Sequence, residues 1–291
     1  MTTVKNYLSL VKFSHTIFAM PFAMIGFFLA VLKTGHGFSW YTFLLVIGCM
    51  VFARSAAMAF NRWLDAHFDA LNPRTAIREI PAGIISKNSA LWFVVACSAL
   101  FILCSGLINP ICLSLSPIAL FVVLFYSYTK RFTALCHLVL GLGLSLAPIG
   151  AYLAVAGAFA WTPVLFSFAV IFWVSGFDVI YALQDEAFDK TQHLHSMPAA
   201  LGIKKALRVS EILHVLSLLS VIAAGIIGHF GLWYVGGLGI FGGLLLVQHL
   251  VVKPNDLSRV NLAFMTTNGI ASVVFSLFVV VDMMVFKTHS I

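Results

Sequence analysis

Charged residues are scarce in this sequence: only 9% of its 291 residues are Asp, Glu, Lys or Arg, and only ten residues are acidic. A soluble globular domain carries roughly 25% charged residues, because its surface must face water. This composition therefore excludes a water-soluble domain. Hydrophobic residues make up 61% of the chain and form long runs, which is typical of an integral membrane protein.

Cysteine is also sparse, and no two cysteines have the CxxC spacing. A disulfide framework or a zinc site is therefore not indicated. All the cysteines lie in or beside apolar runs, where a thiol serves as a small packing residue. They are Cys49, Cys97, Cys104, Cys112 and Cys136.

Nine segments are apolar over the roughly 20 residues that a helix needs to cross a bilayer. They predict an all-α membrane protein, a single bundle of nine transmembrane helices that occupies residues 1–291 as one domain. The first segment follows two lysines, as in a signal peptide, but no cleavage site stands out, and we interpret it as a retained helix. The predicted spans are residues 16–33, 40–60, 88–106, 110–128, 134–156, 162–183, 208–228, 232–251 and 260–286.

The 17 basic residues divide unequally between the two sides of this bundle. If the N-terminus and the even-numbered links are cytoplasmic, only Lys33 and Lys287 fall outside, as the positive-inside rule requires. All acidic residues except Asp282 follow the same side. We therefore predict a multi-pass protein of the inner (plasma) membrane with a cytoplasmic N-terminus and a cytoplasmic site. The net charge of +7 then reflects topology and lipid headgroups, not nucleic acid.

The first acidic segment follows the second predicted helix. Asn61, Asp65 and Asp69 are four residues apart, and Arg54 lies seven residues before Asn61. On a helix these spacings fall on one face. Two carboxylates one turn apart repel each other unless a cation lies between them, and Mg²⁺ prefers such oxygen ligands.

A second acidic segment follows the sixth predicted helix. Asp178, Asp185 and Asp189 repeat the spacing of seven and then four residues. Asp178 lies near membrane depth, where a carboxylate usually serves an ion, a partner or a substrate. A single acidic pair would indicate only a solvated surface, but two pairs in a chain with ten acids favour a metal site.

Basic residues that suit phosphate follow both acidic segments. Arg74 and Arg78 lie in a proline-bounded loop after Asp69, Lys190 follows the second segment, and Lys130 closes the fourth predicted helix. Guanidinium groups bind phosphate through two hydrogen bonds, and lysine acts as a point charge. Facing acids and bases predict a magnesium–diphosphate site. Topology alone remains the alternative role for these bases.

Arg54 lies roughly two turns deeper in the membrane than Asn61. A basic group at that depth needs an anionic partner. Two partners stay open at this point: Asp178 in a buried structural pair, or the carboxylate of an acidic acceptor substrate.

At these residues the sequence resembles the UbiA superfamily of intramembrane prenyltransferases, over essentially the whole chain. The chain departs from the first motif of that family at Arg62, where an Asp is usual, so one metal ligand is missing or replaced by water. The resemblance implies that Asp65, Asp69, Asp185 and Asp189 act in catalysis through Mg²⁺, with Asn61 as a further ligand. The matched positions are Arg54, Asn61, Asp65, Asp69, Arg74, Arg78, Tyr126, Lys130, Asp178, Tyr181, Asp185 and Asp189.

The resemblance also implies a reaction: Mg²⁺-dependent transfer of a polyprenyl group from its diphosphate to an aromatic acid in quinone biosynthesis. The wording of residues 72–83 and 176–186 is similar to a bacterial branch labelled 4-hydroxybenzoate polyprenyltransferase. Some members of that branch serve the futalosine route to menaquinone, which makes a dihydroxynaphthoate the alternative acceptor. No obligatory protein partner is inferred.

Two other classes compete with this interpretation. A CDP-alcohol phosphotransferase requires an Asp-Gly step and a longer acidic motif, which are absent around Asp65. A transporter with acids on an ion path should place charges near the bilayer midplane and at both faces. Here the charges gather at one predicted face, so the transporter is the more distant alternative.

Overall fold

The computed structural model describes residues 2–12 and 18–285, and these residues form helices joined by links. Along the chain, long helices are separated by short turns or by links that contain short helices. The helices are α1 (Thr2–Leu10), α2 (Met20–Lys33), α3 (Trp40–Leu64), α4 (Ala66–Leu71), α5 (Lys87–Ile108), α6 (Pro110–Thr129), α7 (Cys136–Ala156), α8 (Trp161–Ala182), α9 (Glu186–Thr191), α10 (Met197–Leu201), α11 (Ile203–Ile227), α12 (Leu232–Val251) and α13 (Asn268–Val285).

Eight helices in the described part of the chain are long and apolar enough to cross a membrane, and they correspond to the second through ninth predicted spans. The all-α membrane architecture is thereby confirmed. The first predicted span, 16–33, corresponds to α2, which has only 14 residues, and residues 13–17 lie outside the described residues. The count of nine and the side of the N-terminus stay predictions. Residue 286, the predicted end of the last span, and Lys287 also lie outside the described residues.

Each acidic segment lies where a long helix bends. α3 ends at Leu64 and α4 begins at Ala66, so the expected single helix is interrupted at Asp65. The α-type backbone hydrogen bonds nevertheless continue. The Asp65 N–H donates to the Asn61 carbonyl oxygen at 2.9 Å, and the Asp69 N–H donates to the Asp65 carbonyl oxygen at 2.8 Å. The predicted four-residue step is therefore kept across the bend. A 3-10 turn, Leu183–Asp185, similarly separates α8 from α9.

α8 is the central helix of the bundle, and α7 and α11 pack against its two sides. Its side chains Phe166, Val170 and Trp173 are fully buried. Helices in lipid associate through close packing, so small residues are needed where two backbones approach. Gly141 of α7 is such a position, because a Cβ there would lie 2.5 Å from the carbonyl oxygen of Ile171 in α8.

A polar network satisfies the irregular start of the last helix. The π-helix Leu262–Thr267 precedes α13 and leaves carbonyl groups without their usual partners. The Asn268 amide donates to the oxygens of Ala263 and Phe264, at 3.0 and 3.1 Å. Its own oxygen accepts from Trp173 Nε1 and Gln248 Nε2, both at 2.8 Å. The buried amide thus joins α8, α12 and α13.

Asp282 of α13 caps the neighbouring helix. Its carboxylate accepts the backbone N–H of Gly231 at 2.7 Å and that of Tyr234 at 3.1 Å, where α12 begins. The first N–H groups of a helix have no partner within the helix, and an anion at that end is favoured by the helix dipole. Asp282, the one acid predicted to lie on the opposite side from the other acids, is therefore a structural cap.

Asp282→Ala should lower stability, because it leaves two backbone donors without a partner in an apolar environment. The expected loss is about 1–3 kcal/mol, and Asp282→Asn should lose less because its carbonyl oxygen still accepts. The midpoint of thermal unfolding in detergent measures this. Glu211→Ala, at an exposed position of α11, is the matched control, and equal midpoints for the two alanine variants would contradict the capping role.

Candidate active site

Both acidic segments contribute to the wall of one polar cavity of about 790 Å³. The cavity is enclosed by the ends of α3 and α8, the loop after α4, and the link between α6 and α7. Asn61, Asp65 and Asp69 line it from one side, and Asp178 and Asp185 line it from the other. The segments are 113 positions apart in sequence and are directly joined, since the Asn72 amide donates to Asp185 Oδ1 at 3.3 Å.

Asp65 is held by two donors at the bend after α3. The Asn61 amide donates to Asp65 Oδ2 at 3.0 Å, and Arg131 Nη2 donates to Oδ1 at 2.9 Å. Arg131 also binds the Leu64 carbonyl oxygen, so it covers the end of α3. Burial raises the pKa of Asp65, and the Arg131 charge opposes that rise.

Asp69 lies one turn further and pairs with the following loop. Arg78 Nη1 is 2.6 Å from Asp69 Oδ1, and Thr75 Oγ1 donates to the Asp69 carbonyl oxygen at 3.0 Å. The loop folds back because a turn at Asn72 returns the chain toward α4. Asp69 Oδ2 is buried and has no hydrogen-bond partner among the described residues. This oxygen is directly suited to a cation.

Asp185 pairs with the first arginine of the same loop. Arg74 donates to both carboxylate oxygens, with Nε 3.1 Å from Oδ1, and its Nη1 donates to the Tyr181 hydroxyl at 3.0 Å. The guanidinium also lies over the Tyr181 ring, 5.4 Å from its centroid. Burial would lower the pKa of Arg74, but the charge of Asp185 outweighs it and raises the pKa.

Asp189 is fully buried behind the cavity wall and faces Lys130, whose Nζ is 2.7 Å from Asp189 Oδ1. Burial would lower the pKa of Lys130, but the charge of Asp189 outweighs it and raises the pKa, so the ammonium is retained. Lys190 instead pairs with Glu186 one turn earlier and is largely exposed. Of the two predicted lysines, only Lys130 lines the cavity.

Asp178 binds a histidine that was not among the predicted site residues. His137 Nδ1 lies 2.7 Å from Asp178 Oδ2, and the Met197 N–H donates to His137 Nε2 at 3.2 Å. Because Nε2 accepts, the ring hydrogen is on Nδ1 and is donated to the carboxylate. The alternative in which Arg54 pairs with Asp178 is wrong, since His137 from α7 takes that place.

A second cavity, of about 370 Å³ and almost entirely apolar, lies deeper in the bundle. Arg54, Met58, Tyr126, Leu140 and Leu144 line both cavities. The polar cavity is therefore adjacent to a largely apolar one, and the two share part of their walls. An amphiphile with an anionic head and a hydrocarbon chain matches this arrangement.

Each predicted metal-ligating carboxylate is thus neutralised by a base from another segment. No three Asp, Glu, His or Cys side chains within the described residues gather into a ready-made ion site. The donors nevertheless fit Mg²⁺, because they are hard oxygens and one of them, Asp69 Oδ2, is a buried orphan. The opposing bases are of the type that binds phosphate. If Mg²⁺ and a phosphate group both bound, each carboxylate would contact the metal and each base would contact the phosphate, in place of their contact with each other.

Three residues of the site were missed from the sequence. Arg131 directly follows Lys130, and its adjacency to that lysine was a usable signal. Asn72 precedes a proline and reads as an ordinary turn residue. His137 gave no signal at all, because it is a lone histidine in an apolar helix.

Comparisons with known proteins point to one family. A family model described as the UbiA prenyltransferase family matches residues 19–270. A 4-hydroxybenzoate octaprenyltransferase from Nitrosomonas europaea is 33% identical over 231 residues, which cover 78% of this chain and 77% of that relative. The apo structure of a UbiA homolog from Aeropyrum pernix superposes with a TM-score of 0.79 at 29% identity, covering 93% of this chain and 97% of that one. A homolog from Archaeoglobus fulgidus bound to DMAPP and Mg²⁺ shares the fold, with a TM-score of 0.74 at 19% identity, over 97% of this chain and 100% of its own.

Arg131→Gln should change how Mn²⁺, a spectroscopic substitute for Mg²⁺, binds as a function of pH. The arginine charge opposes the rise in the pKa of Asp65, so its removal raises that pKa further. The carboxylate must be ionised to bind metal, and the pH of half-maximal binding should therefore move upward. Electron paramagnetic resonance of purified protein measures it, with the exposed Arg259→Gln as control. A downward shift, or none, would refute the pairing.

Proposed function

The chain belongs to the UbiA prenyltransferase family, and on that premise we propose that it transfers a polyprenyl group from polyprenyl diphosphate to an aromatic acid of the 4-hydroxybenzoate type. The reaction requires Mg²⁺. One observation carries the proposal: two acidic segments, each paired with phosphate-binding bases, line a polar cavity that shares wall residues with an adjacent apolar one. The polar part suits the diphosphate and the acid, and the apolar part suits the isoprenoid chain.

The diphosphate end of the site uses the acids and bases described above. Asn61, Asp65, Asp69 and Asp185 would supply oxygen ligands for Mg²⁺. Asp189, also predicted as a ligand, does not line the cavity and instead supports Lys130 from behind the wall. When bound, Mg²⁺ neutralises the charge that grows on the diphosphate as it leaves. Lys130 and the arginines exchange carboxylate oxygens for phosphate oxygens, and these preorganised charges act where the transition state is most negative. The predicted role of Lys190 has no support from its position beside Glu186.

Arg54 and Asp178 form the acceptor end. Arg54 lies where the two cavities meet and has no anionic protein partner among the described residues, so it suits the carboxylate of the aromatic acid. His137 holds one oxygen of Asp178, and the other oxygen accepts the phenolic O–H of the ring. The allylic carbon–oxygen bond breaks, a carbon–carbon bond forms to the ring, and the ring proton is released. Tyr126 and other π faces stabilise the allylic cation.

Two features support a cytoplasmic active site in the inner membrane. The charged links gather on one predicted side, and the polar cavity is built from those links and the adjoining helix ends. A transporter would need acids along a path across the bilayer. Asp282, the acid at the other end of the bundle, is instead occupied as a helix cap. The enzyme needs no protein partner for this chemistry, and its substrates reach it from the lipid and the cytoplasm.

Asp65→Ala and Asp185→Ala should each reduce prenyl transfer by roughly 100-fold or more. Each variant removes a carboxylate that would hold Mg²⁺, and the metal stabilises the diphosphate leaving group. EDTA should have a similar effect on the unmodified enzyme, with recovery on addition of Mg²⁺. The assay is product formation from a prenyl diphosphate and 4-hydroxybenzoate by purified protein in detergent. Asp256→Ala, an exposed acid in another link, should leave the rate unchanged, and full activity of both site variants would remove the metal-site assignment.

Acceptor choice is tested by supplying 4-hydroxybenzoate and a dihydroxynaphthoate side by side. Relatives named 4-hydroxybenzoate octaprenyltransferase lead us to expect the single-ring product at the higher kcat/KM. Mass detection of the two products gives the ratio directly. A dominant naphthoate product would assign the chain to the menaquinone branch with the same chemistry. Arg54→Gln should reduce the rate with either acid, since both carry a carboxylate.

A further inference from the structure

Two guanidinium groups on α3 have no ion-pair partner among the residues that the structure describes. Arg54 and Arg62 each have a buried Nε without a hydrogen-bond partner, and neither forms an ion pair with any described residue. Arg62 is only 5% exposed, although it lies on the wall of the polar cavity. A buried cation without a counter-ion is unfavourable by several kcal/mol, so it is normally found where an anion binds.

The acids around Arg62 form no ion pair with it. Asp69 is paired with Arg78, and Asp65 is paired with Arg131. Glu79 is buried nearby and accepts from the Ser9 hydroxyl with one oxygen, while its other oxygen has no partner. The charges of Asp69 and Glu79 act on Arg62, but no described residue contacts its guanidinium group as a counter-ion.

We propose that Arg62 binds the diphosphate of the prenyl donor directly, which is an extension of the proposed function and rests on it. Its position distinguishes it from Arg54. Arg62 lies one turn before Asp65, and Asp69, Arg78 and Glu79 are among the charges that act on it. Arg54 lies two turns away along α3 and also lines the apolar cavity, which Arg62 does not. The two arginines therefore serve opposite ends of the site.

The residue type at position 62 decides how it can hold the diphosphate. Arg62 is a fixed cation on the wall of the polar cavity. It can make a direct guanidinium–phosphate contact, which needs no metal ion between the two groups. The diphosphate should therefore be retained partly without Mg²⁺, because the protein itself supplies one of the cations.

Inorganic pyrophosphate is the probe that tests this assignment. Its affinity for the purified full-length protein in detergent is measured by calorimetry, once with Mg²⁺ and once with EDTA. The unmodified protein should bind in both conditions. Arg62→Gln should bind about tenfold more weakly in EDTA, the loss expected for one charge-assisted hydrogen bond. Arg62→Lys should recover part of this affinity as a point charge, and Arg259→Gln is the matched exposed control.

The possible outcomes separate this inference from the function on which it rests. Unchanged pyrophosphate affinity in Arg62→Gln would overturn the inference alone. So would a selective loss of 4-hydroxybenzoate binding, which would place Arg62 at the acceptor. If the unmodified protein bound no pyrophosphate even with Mg²⁺, both the inference and the proposed function would fail. Thermal unfolding checks that the variants are folded. If Arg62→Gln is not folded, the pyrophosphate affinity of Arg62→Lys is compared with that of the unmodified protein instead.

Discussion

Opposite charges that pair between separate segments are the constraint on which this structure depends. Asp65, Asp69, Asp185 and Asp189 each contact a base that comes from a loop or helix end elsewhere in the chain. An ion near the hydrocarbon region is unfavourable unless it is paired and hydrogen-bonded. These contacts therefore determine how the link after α6, the loop after α4 and the end of α8 are arranged around one cavity.

The same constraint explains why the acids of this membrane protein differ in role. Each oxygen of Asp282 accepts a backbone N–H at the start of α12, and the side chain is buried as a helix cap. Asp69, in contrast, keeps one buried oxygen without a hydrogen-bond partner, both oxygens of Asp189 lack one among the described residues, and Asp178 keeps one oxygen beyond its bond to His137. The unsatisfied atoms, and not the presence of a carboxylate at membrane depth, distinguish a site residue from a structural one.

The periodicity of the sequence was sufficient to predict the all-α membrane architecture and to locate the two acidic segments. Hydrophobic length predicts helices, and the four-residue step between Asp65 and Asp69 survives a helix bend that the sequence does not reveal. The partners of the acids could not be predicted in the same way. Whether Arg74 reaches Asp185 or Asp69 depends on how a loop folds back between two distant helices. The pairing of Asp178 with His137 depends on how closely α7 approaches α8, which small residues such as Gly141 permit.

The paired charges also favour joint binding of the metal ion and the diphosphate. A metal ion that took the carboxylates alone would leave Arg74, Arg78 and Lys130 without their counter-ions. This is unfavourable, although by less than for a fully buried pair, because these side chains are 34%, 21% and 35% exposed. A diphosphate that took the bases alone would leave the carboxylates uncompensated. When both ligands arrive together, each acid exchanges its base for the metal and each base exchanges its acid for a phosphate oxygen. The geometry therefore favours the metal–diphosphate complex as a unit over either of its parts. Arg62 is the exception, because no acid among the described residues is paired with it.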